Sequence, residues 1–128
     1  MIVLDTHAVV WWAGDPGRLS TKAAAIIDKT DRVGLPAIVF WETALLVRKG
    51  RLDLGMSVRE WAEKIQLIPR VEALPLTPEI AVLPLADALR MHADPADRFV
   101  VATAIHHRVA LVTKDRSLRR LKIVKTIW

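Results

Sequence analysis

The sequence predicts an α/β domain with a mostly parallel central sheet. Strand-like apolar runs alternate with helix-period segments along the whole chain. The first run, Met1-Ile2-Val3-Leu4, reads as a buried strand and stops abruptly in Asp5-Thr6-His7, where an open parallel sheet presents its ligands. Helix start and stop signals recur between the runs, and no composition shift marks a domain boundary, so residues 1–128 are read as one domain.

The elements follow in order. Ala8 to Ala13 reads as a short helix, Gly14-Asp15-Pro16-Gly17 as a loop, and Ser20 as the N-cap of a helix through Ala23, Ala24, Ile26 and Ile27. A short strand is expected near Val33. Pro36 then opens a helix to Lys49, and Gly50 stops it. Ser57 with Glu60 three residues on has capping-box spacing for a helix to about Gln66. Val71 to Leu76 reads as a strand and Pro78 to Leu85 as a short helix. Asp94-Pro95-Ala96-Asp97 begins a helix through Phe99, Val100, Ala104 and Ile105, and Val109 to Val112 forms a strand ending in Thr113-Lys114-Asp115. A basic helical turn and a last strand near Ile123 to Val124 complete the pattern. No repeat or low-complexity stretch interrupts it.

With 128 residues, 52% of them hydrophobic, the chain buries a proper core without disulfides or structural metal. The absence of Cys excludes thiolate zinc sites and thiol catalysis and fits a reducing compartment. No apolar run approaches the roughly 20 residues of a membrane helix, and the start lacks the basic region and cleavage site of a signal peptide. Cytoplasm is therefore the expected location. Nineteen Lys and Arg against 14 Asp and Glu give a net charge of +5 and a pI near 10.1, which suits an anionic partner as well as simple solubility.

Four carboxylates stand beside or inside apolar segments: Asp5, Glu42, Asp97 and Asp115. Each also has a routine structural explanation. Asp5 and Asp115 suit N-caps, as does Asp94 before Pro95. Asp97 suits the positive end of a helix dipole. Glu42 is the hardest to explain, since helical spacing sets it on a face with Ile38, Leu45 and Leu46, where a buried carboxylate must pair, protonate or bind metal. As a set they argue for function, because Asp5 and Asp115 fall at carboxyl ends of strands and the two helix positions can reach the same edge. Converging carboxylates repel one another, and hard, oxygen-preferring ions such as Mg²⁺ or Mn²⁺ are their natural occupants.

The run Ile2-Val3-Leu4-Asp5-Thr6-His7, Glu42 within Trp41 to Leu46, the segment His92 to Ala104, and Leu111-Val112-Thr113-Lys114-Asp115 together resemble PIN-domain proteins over nearly the whole chain. The short length and Asp-Pro-Ala-Asp-Arg segment resemble, more narrowly, the VapC-type ribonuclease toxins of bacterial toxin-antitoxin pairs. The resemblance implies a three-layer α/β/α fold and a Mg²⁺- or Mn²⁺-dependent endoribonuclease, usually a homodimer, held in check by a cognate antitoxin protein. It matches Asp5, Glu42 and Asp97 to the acidic triad, Asp115 to the more variable fourth acid, and Thr6 and Thr113 to the hydroxyl positions beside them. Asp97 is preferred to Asp94 because the family's acid directly precedes the apolar helix; Asp94 is either an assistant ligand or a cap. Hydrolysis of an RNA phosphodiester by metal-activated water, with a 5′-phosphate product, is the implied reaction.

Basic residues gather at Arg48-Lys49-Gly50-Arg51 and again at Lys114, Arg116, Arg119, Arg120, Lys122 and Lys125. Either cluster suits a solvated face; the second, beside Asp115, is also expected to guide the RNA backbone through Lys114, Arg116, Arg119 and Arg120. His7, His92, His106 and His107 show no chelating pattern and read as surface or packing residues, His7 being the one placed to touch substrate. Trp11, Trp12, Trp41 and Trp61 on helical segments suit core packing or a protein interface better than base stacking. Two other classes compete: a non-catalytic RNA- or protein-binding module of the same fold, and a haloacid dehalogenase-like phosphatase. The first sits poorly with retention of all four acids. The second calls for an Asp two residues after the first, where this chain has His7.

Overall fold

The computed structural model describes residues 1–85 and 94–128. Strands β1 (Ile2–Leu4), β2 (Val33–Pro36), β3 (Val71–Leu74), β4 (Ala110–Val112) and β5 (Thr126–Ile127) form one sheet in the order β3-β2-β1-β4-β5. Every neighbouring pair is parallel. All residues of β1 and β2 are buried. Successive strand residues face opposite sides, so burial at each position requires cover on both faces, as in a three-layer α/β/α arrangement.

The covering helices are α1 (Thr6–Gly14), α2 (Thr21–Lys29), α3 (Ala37–Arg48), α4 (Val58–Gln66), α5 (Pro78–Val82), α6 (Pro95–His106) and α7 (Arg116–Arg120). Their starts follow the chain's own capping chemistry. Ser20 accepts from the Ala23 amide at 3.1 Å, and Ser57 and Glu60 close a reciprocal capping box on α4. Pro36 is both the last residue of β2 and the N-cap of α3, which turns strand into helix without a loop. Gly50 ends α3 with φ at +68°. Beyond it the Arg51 amide donates back to the Leu46 carbonyl at 2.9 Å, a helix termination that needs the left-handed residue.

Wholly buried Val3, Leu4, Leu35 and Leu111 from the sheet meet Val9, Ile27, Val39 and Val100 from the helices. Gly34, in the middle of β2, is there because of this packing: a Cβ on it would stand 2.6 Å from Leu74 Cδ1.

Three expectations need correction. The last strand is Thr126–Ile127, not Ile123 to Val124, because the register with β4 pairs Leu111 with Thr126 and Val112 with Ile127. Lys122 at φ 55° turns the chain first, and it is Ile127 that enters the core. Within the expected loop, Pro16–Arg18 winds into a 3-10 turn. The expected helix Pro78 to Leu85 is helical only to Val82, then tightens to a 3-10 turn over Leu83–Leu85. His92 lies outside the described residues.

Candidate active site

β1 and β4 are in register Leu4 to Val112, so the residues that follow them emerge side by side. The Asp5 amide donates to the Val112 carbonyl at 3.1 Å, and the Thr113 amide to the Ile127 carbonyl at 3.1 Å. The strand order reverses here: β2 and β3 extend from β1 on one side, β4 and β5 on the other. Open parallel sheets leave a crevice at their carboxyl ends where the order reverses.

Asp5 is nearly buried, at 7% exposure. Its Oδ1 accepts from the Ala8 amide at 2.7 Å and so caps α1. Thr113, fully buried, joins two acids: its side chain hydrogen-bonds Asp5, while its Oγ1 accepts from the Asp115 amide at 3.0 Å. Asp115 caps α7 through Oδ1, which accepts from the Ser117 amide and hydroxyl, both at 2.6 Å, and from the Leu118 amide at 3.2 Å. Thr6 Oγ1 donates to Glu42 Oε2 in a short hydrogen bond that ties α1 to α3. Asp97 sits in the first turn of α6, and α6 packs on α3.

These elements bring Asp5, Glu42, Asp97 and Asp115 to the wall of one cavity of about 330 Å³. Thr6, His7, Lys114 and Arg116 complete its lining. Glu42 is only half buried: α3 buries Val39 and Thr43, and the face it shares with Ile38, Leu45 and Leu46 is only partly buried. The expectation of a buried Glu42 is thus corrected: it is half buried and lines the cavity. Asp94 caps α6, its Oδ1 accepting from the Ala96 amide at 2.9 Å, and is not among the lining residues. Lys114 and Arg116 reach the cavity, whereas Arg119 and Arg120 are exposed residues of the last turn of α7 and do not line it.

The electrostatics reflect crowding of like charge in a partly dry place. Burial, opposed by the Thr113 and Ala8 hydrogen bonds and reinforced by Glu42 and Asp115, pushes Asp5 up to about 6. Burial and then the charges of Glu42, Asp115, Asp94 and Asp5 push Asp97 to about 7. For Asp115, burial acts upward but the hydrogen bonds from Ser117 and Leu118 prevail and lower it. His7 is lowered by burial and by the nearby Lys114 ammonium. As they stand, Asp5, Glu42 and Asp115 turn to hydroxyls and backbone amides, and among the described residues no three His, Asp or Glu side chains close on a single point. Oxygen donors dominate the lining, and their mutual repulsion is of the kind a hard divalent cation relieves.

Arg18 and Arg51 are the residues near this site to which the sequence assigned no role. They line a second cavity that shares Thr6, His7 and Lys114 with the first. The Arg48-Lys49-Gly50-Arg51 cluster was the available signal for Arg51; Arg18 stood alone in a loop-like stretch and gave none.

Known proteins place this architecture. Ribonuclease VapC22 of Mycobacterium tuberculosis is 37% identical over 129 residues, spanning 99% of this chain and 98% of that protein. The structure of VapBC2 from Rickettsia felis bound to a promoter DNA fragment matches with a TM-score of 0.66 at 16% identity, covering 98% of this chain and 97% of the matched one. FitAcB from Neisseria gonorrhoeae matches with a TM-score of 0.64 at 23% identity, covering 98% and 96%. At such identities these two likenesses are of fold. The PIN domain family model matches residues 2–124, which contain all four acids. With that match and the near full-length VapC relative, the chain belongs to the PIN-domain family.

Proposed function

We propose that this protein is a divalent-metal-dependent endoribonuclease serving as the toxin of a toxin-antitoxin pair. The observation that carries this reading is the convergence of Asp5, Glu42, Asp97 and Asp115 on one cavity at the carboxyl edge of the sheet. The relative at 37% identity is a ribonuclease by name, which gives the substrate class. Among structures of the same fold, one is described as a toxin-antitoxin complex from Klebsiella pneumoniae, which supports a protein antitoxin as partner.

Asp5, Glu42, Asp97 and Asp115 are the residues that would hold Mg²⁺ or Mn²⁺. When bound, such an ion supplies charge neutralisation and Lewis acidity toward a phosphoryl oxygen and toward water. The chain's own residues do the rest. Thr113 fixes Asp5 and Asp115 relative to each other, and Thr6 holds Glu42 toward the cavity. Lys114 and Arg116 supply cations that attract a phosphate to an otherwise acidic pocket. His7, its pKa lowered, stays largely neutral near pH 7 and offers a hydrogen bond rather than a charge to the RNA. The reaction in this proposal is hydrolysis of an RNA phosphodiester, and the proposed location is the cytoplasm.

Homodimer formation belongs to the same proposal. Trp41 on α3 is 55% exposed, and Val82 and Leu85 are exposed in and just after α5; both segments pack on α6. Large exposed apolar side chains of this kind suit a subunit interface. Purified protein incubated with single-stranded RNA should cleave it with Mg²⁺ or Mn²⁺ and stop when a chelator is added. Cleavage that persists unchanged in chelator would defeat the metal-dependent reading.

A further inference from the structure

Beside the acidic cavity lies a second one of about 310 Å³, and the two share Thr6, His7 and Lys114. Its character is different. Arg18, Arg51 and Lys114 line it with positive charge, and Val10, Leu46 and Leu52 give it an apolar side. Trp11, 6% exposed, organises the cations: Arg18 Cζ lies 4.4 Å and Lys114 Nζ 4.3 Å from its ring centroid, both inside cation–π range. Arg51 is set independently by the left-handed Gly50 and the return hydrogen bond to Leu46.

We infer that this second cavity is a nucleotide subsite for the RNA strand adjoining the scissile phosphate, with Arg18, Arg51 and Lys114 binding its backbone phosphate and Val10, Leu46 and Leu52 receiving its base. The inference rests on the nuclease reading for the direction of the strand, and on the cavity itself for the contacts. Arg18 and Lys114 line the same cavity within 4.4 Å of one ring's centroid, and an anion bound in that cavity offsets the repulsion among its cations. The volume lies at the lower end of the ~300–1,000 Å³ range of small-molecule sites, room for one nucleotide and not for a duplex. A shared wall means that a strand with one phosphate at the acids runs directly into the cationic cavity. Arg18 and Arg51 are then binding residues, raising affinity without touching the reacting atoms.

The test uses a fluorescent single-stranded RNA and the intact protein in chelator, so that binding is read without cleavage. Dissociation constants are measured against salt for the parent, R51Q, R18Q/R51Q and, as a charge-matched control elsewhere on the surface, K22Q/K29Q. The double variant should bind about tenfold or more weakly, its salt slope shallower by about 0.7 for each lost phosphate contact. R51Q, whose side chain is not stacked on Trp11, should show about half the slope change, which separates lost contacts from a disturbed fold. Affinity and slope equal to the parent's, or a loss no larger than that of K22Q/K29Q, would overturn the subsite. RNA cleavage by the parent in Mn²⁺ is scored separately: its absence beside a clear binding loss in R18Q/R51Q would sink the nuclease reading and keep the subsite, and its presence beside unchanged variants would do the reverse.

Discussion

Asp5 serves two demands with one carboxylate. It caps α1 through Ala8, a structural role, and it stands almost buried at the head of the acidic cavity. Substitution separates the two. Asn keeps size and capping ability, so Asp5→Asn should fold as the parent does and, in chelator near pH 8, be at least as thermally stable, because a buried charge is gone. Its RNA cleavage should fall about 100-fold or more, measured as kcat/KM with Mg²⁺. Parent-like cleavage by this variant would remove Asp5 from the proposed ligand set. Thr113 touches both Asp5 and Asp115 and acts through them. Thr113→Val should cost about 10–100-fold in Mg²⁺ affinity, read as the metal concentration at half-maximal cleavage, whereas a purely structural loss would lower Tm without moving that midpoint.

At the scale of the elements, the site depends on where β1 and β2 are held. β2 lies between β1 and β3, and Gly34 lets Leu74 of β3 approach its backbone. Gly34→Val would drive two methyl groups into that contact and should destabilise the protein by about 1–3 kcal/mol, measured by urea unfolding. Stability equal to the parent's would show that Leu74 moves aside at no cost. Most helix starts were legible in the sequence, since Ser20, Ser57, Asp94 and Asp115 cap the helices their spacing announced. The last strand was not. Ile123-Val124 has the better strand composition, but Lys122 turns the chain and pairing with Leu111 and Val112 falls to Thr126–Ile127. Register is a property of the neighbour, not of the segment, and a one-residue slip reverses every side chain.

Over the whole molecule, the raised carboxyls of Asp5 and Asp97 link folding, protons and metal. Their ordinary value is 3.8, and in the folded protein they titrate at about 6 and about 7. The folded chain therefore holds more protons than the unfolded one between about pH 4 and 7, so stability falls as pH rises through that window. Two lowered groups act in the opposite sense: Asp115 below its ordinary carboxylate value, and His7 below its ordinary value of 6.5, where it offsets part of the decline set by the two carboxyls. In chelator, Tm should decline from pH 5 to pH 8; with excess Mg²⁺ or Mn²⁺ the decline should flatten, and the ion should bind more tightly at pH 8 than at pH 6 because protons leave as it enters. A chelator-treated Tm that rises over that range would contradict the assigned crowding of charge.

The sequence by itself determined the α/β class, the parallel sheet and most helix boundaries, because these rest on local signals such as apolar runs and caps. It also singled out the four acids as candidates, with the family resemblance choosing Asp97 over Asp94. Only the tertiary structure decided that the acids share one cavity, that Glu42 reaches it from a partly buried face of α3, and that Asp94 stays a cap outside it. It also set Arg18 and Arg51 beside Lys114, leaving Arg119 and Arg120 away from the cavity. The reason is geometric. Strand order and register carry residues more than a hundred positions apart, such as Asp5 and Asp115, onto adjacent strand ends, and no local pattern encodes that distance.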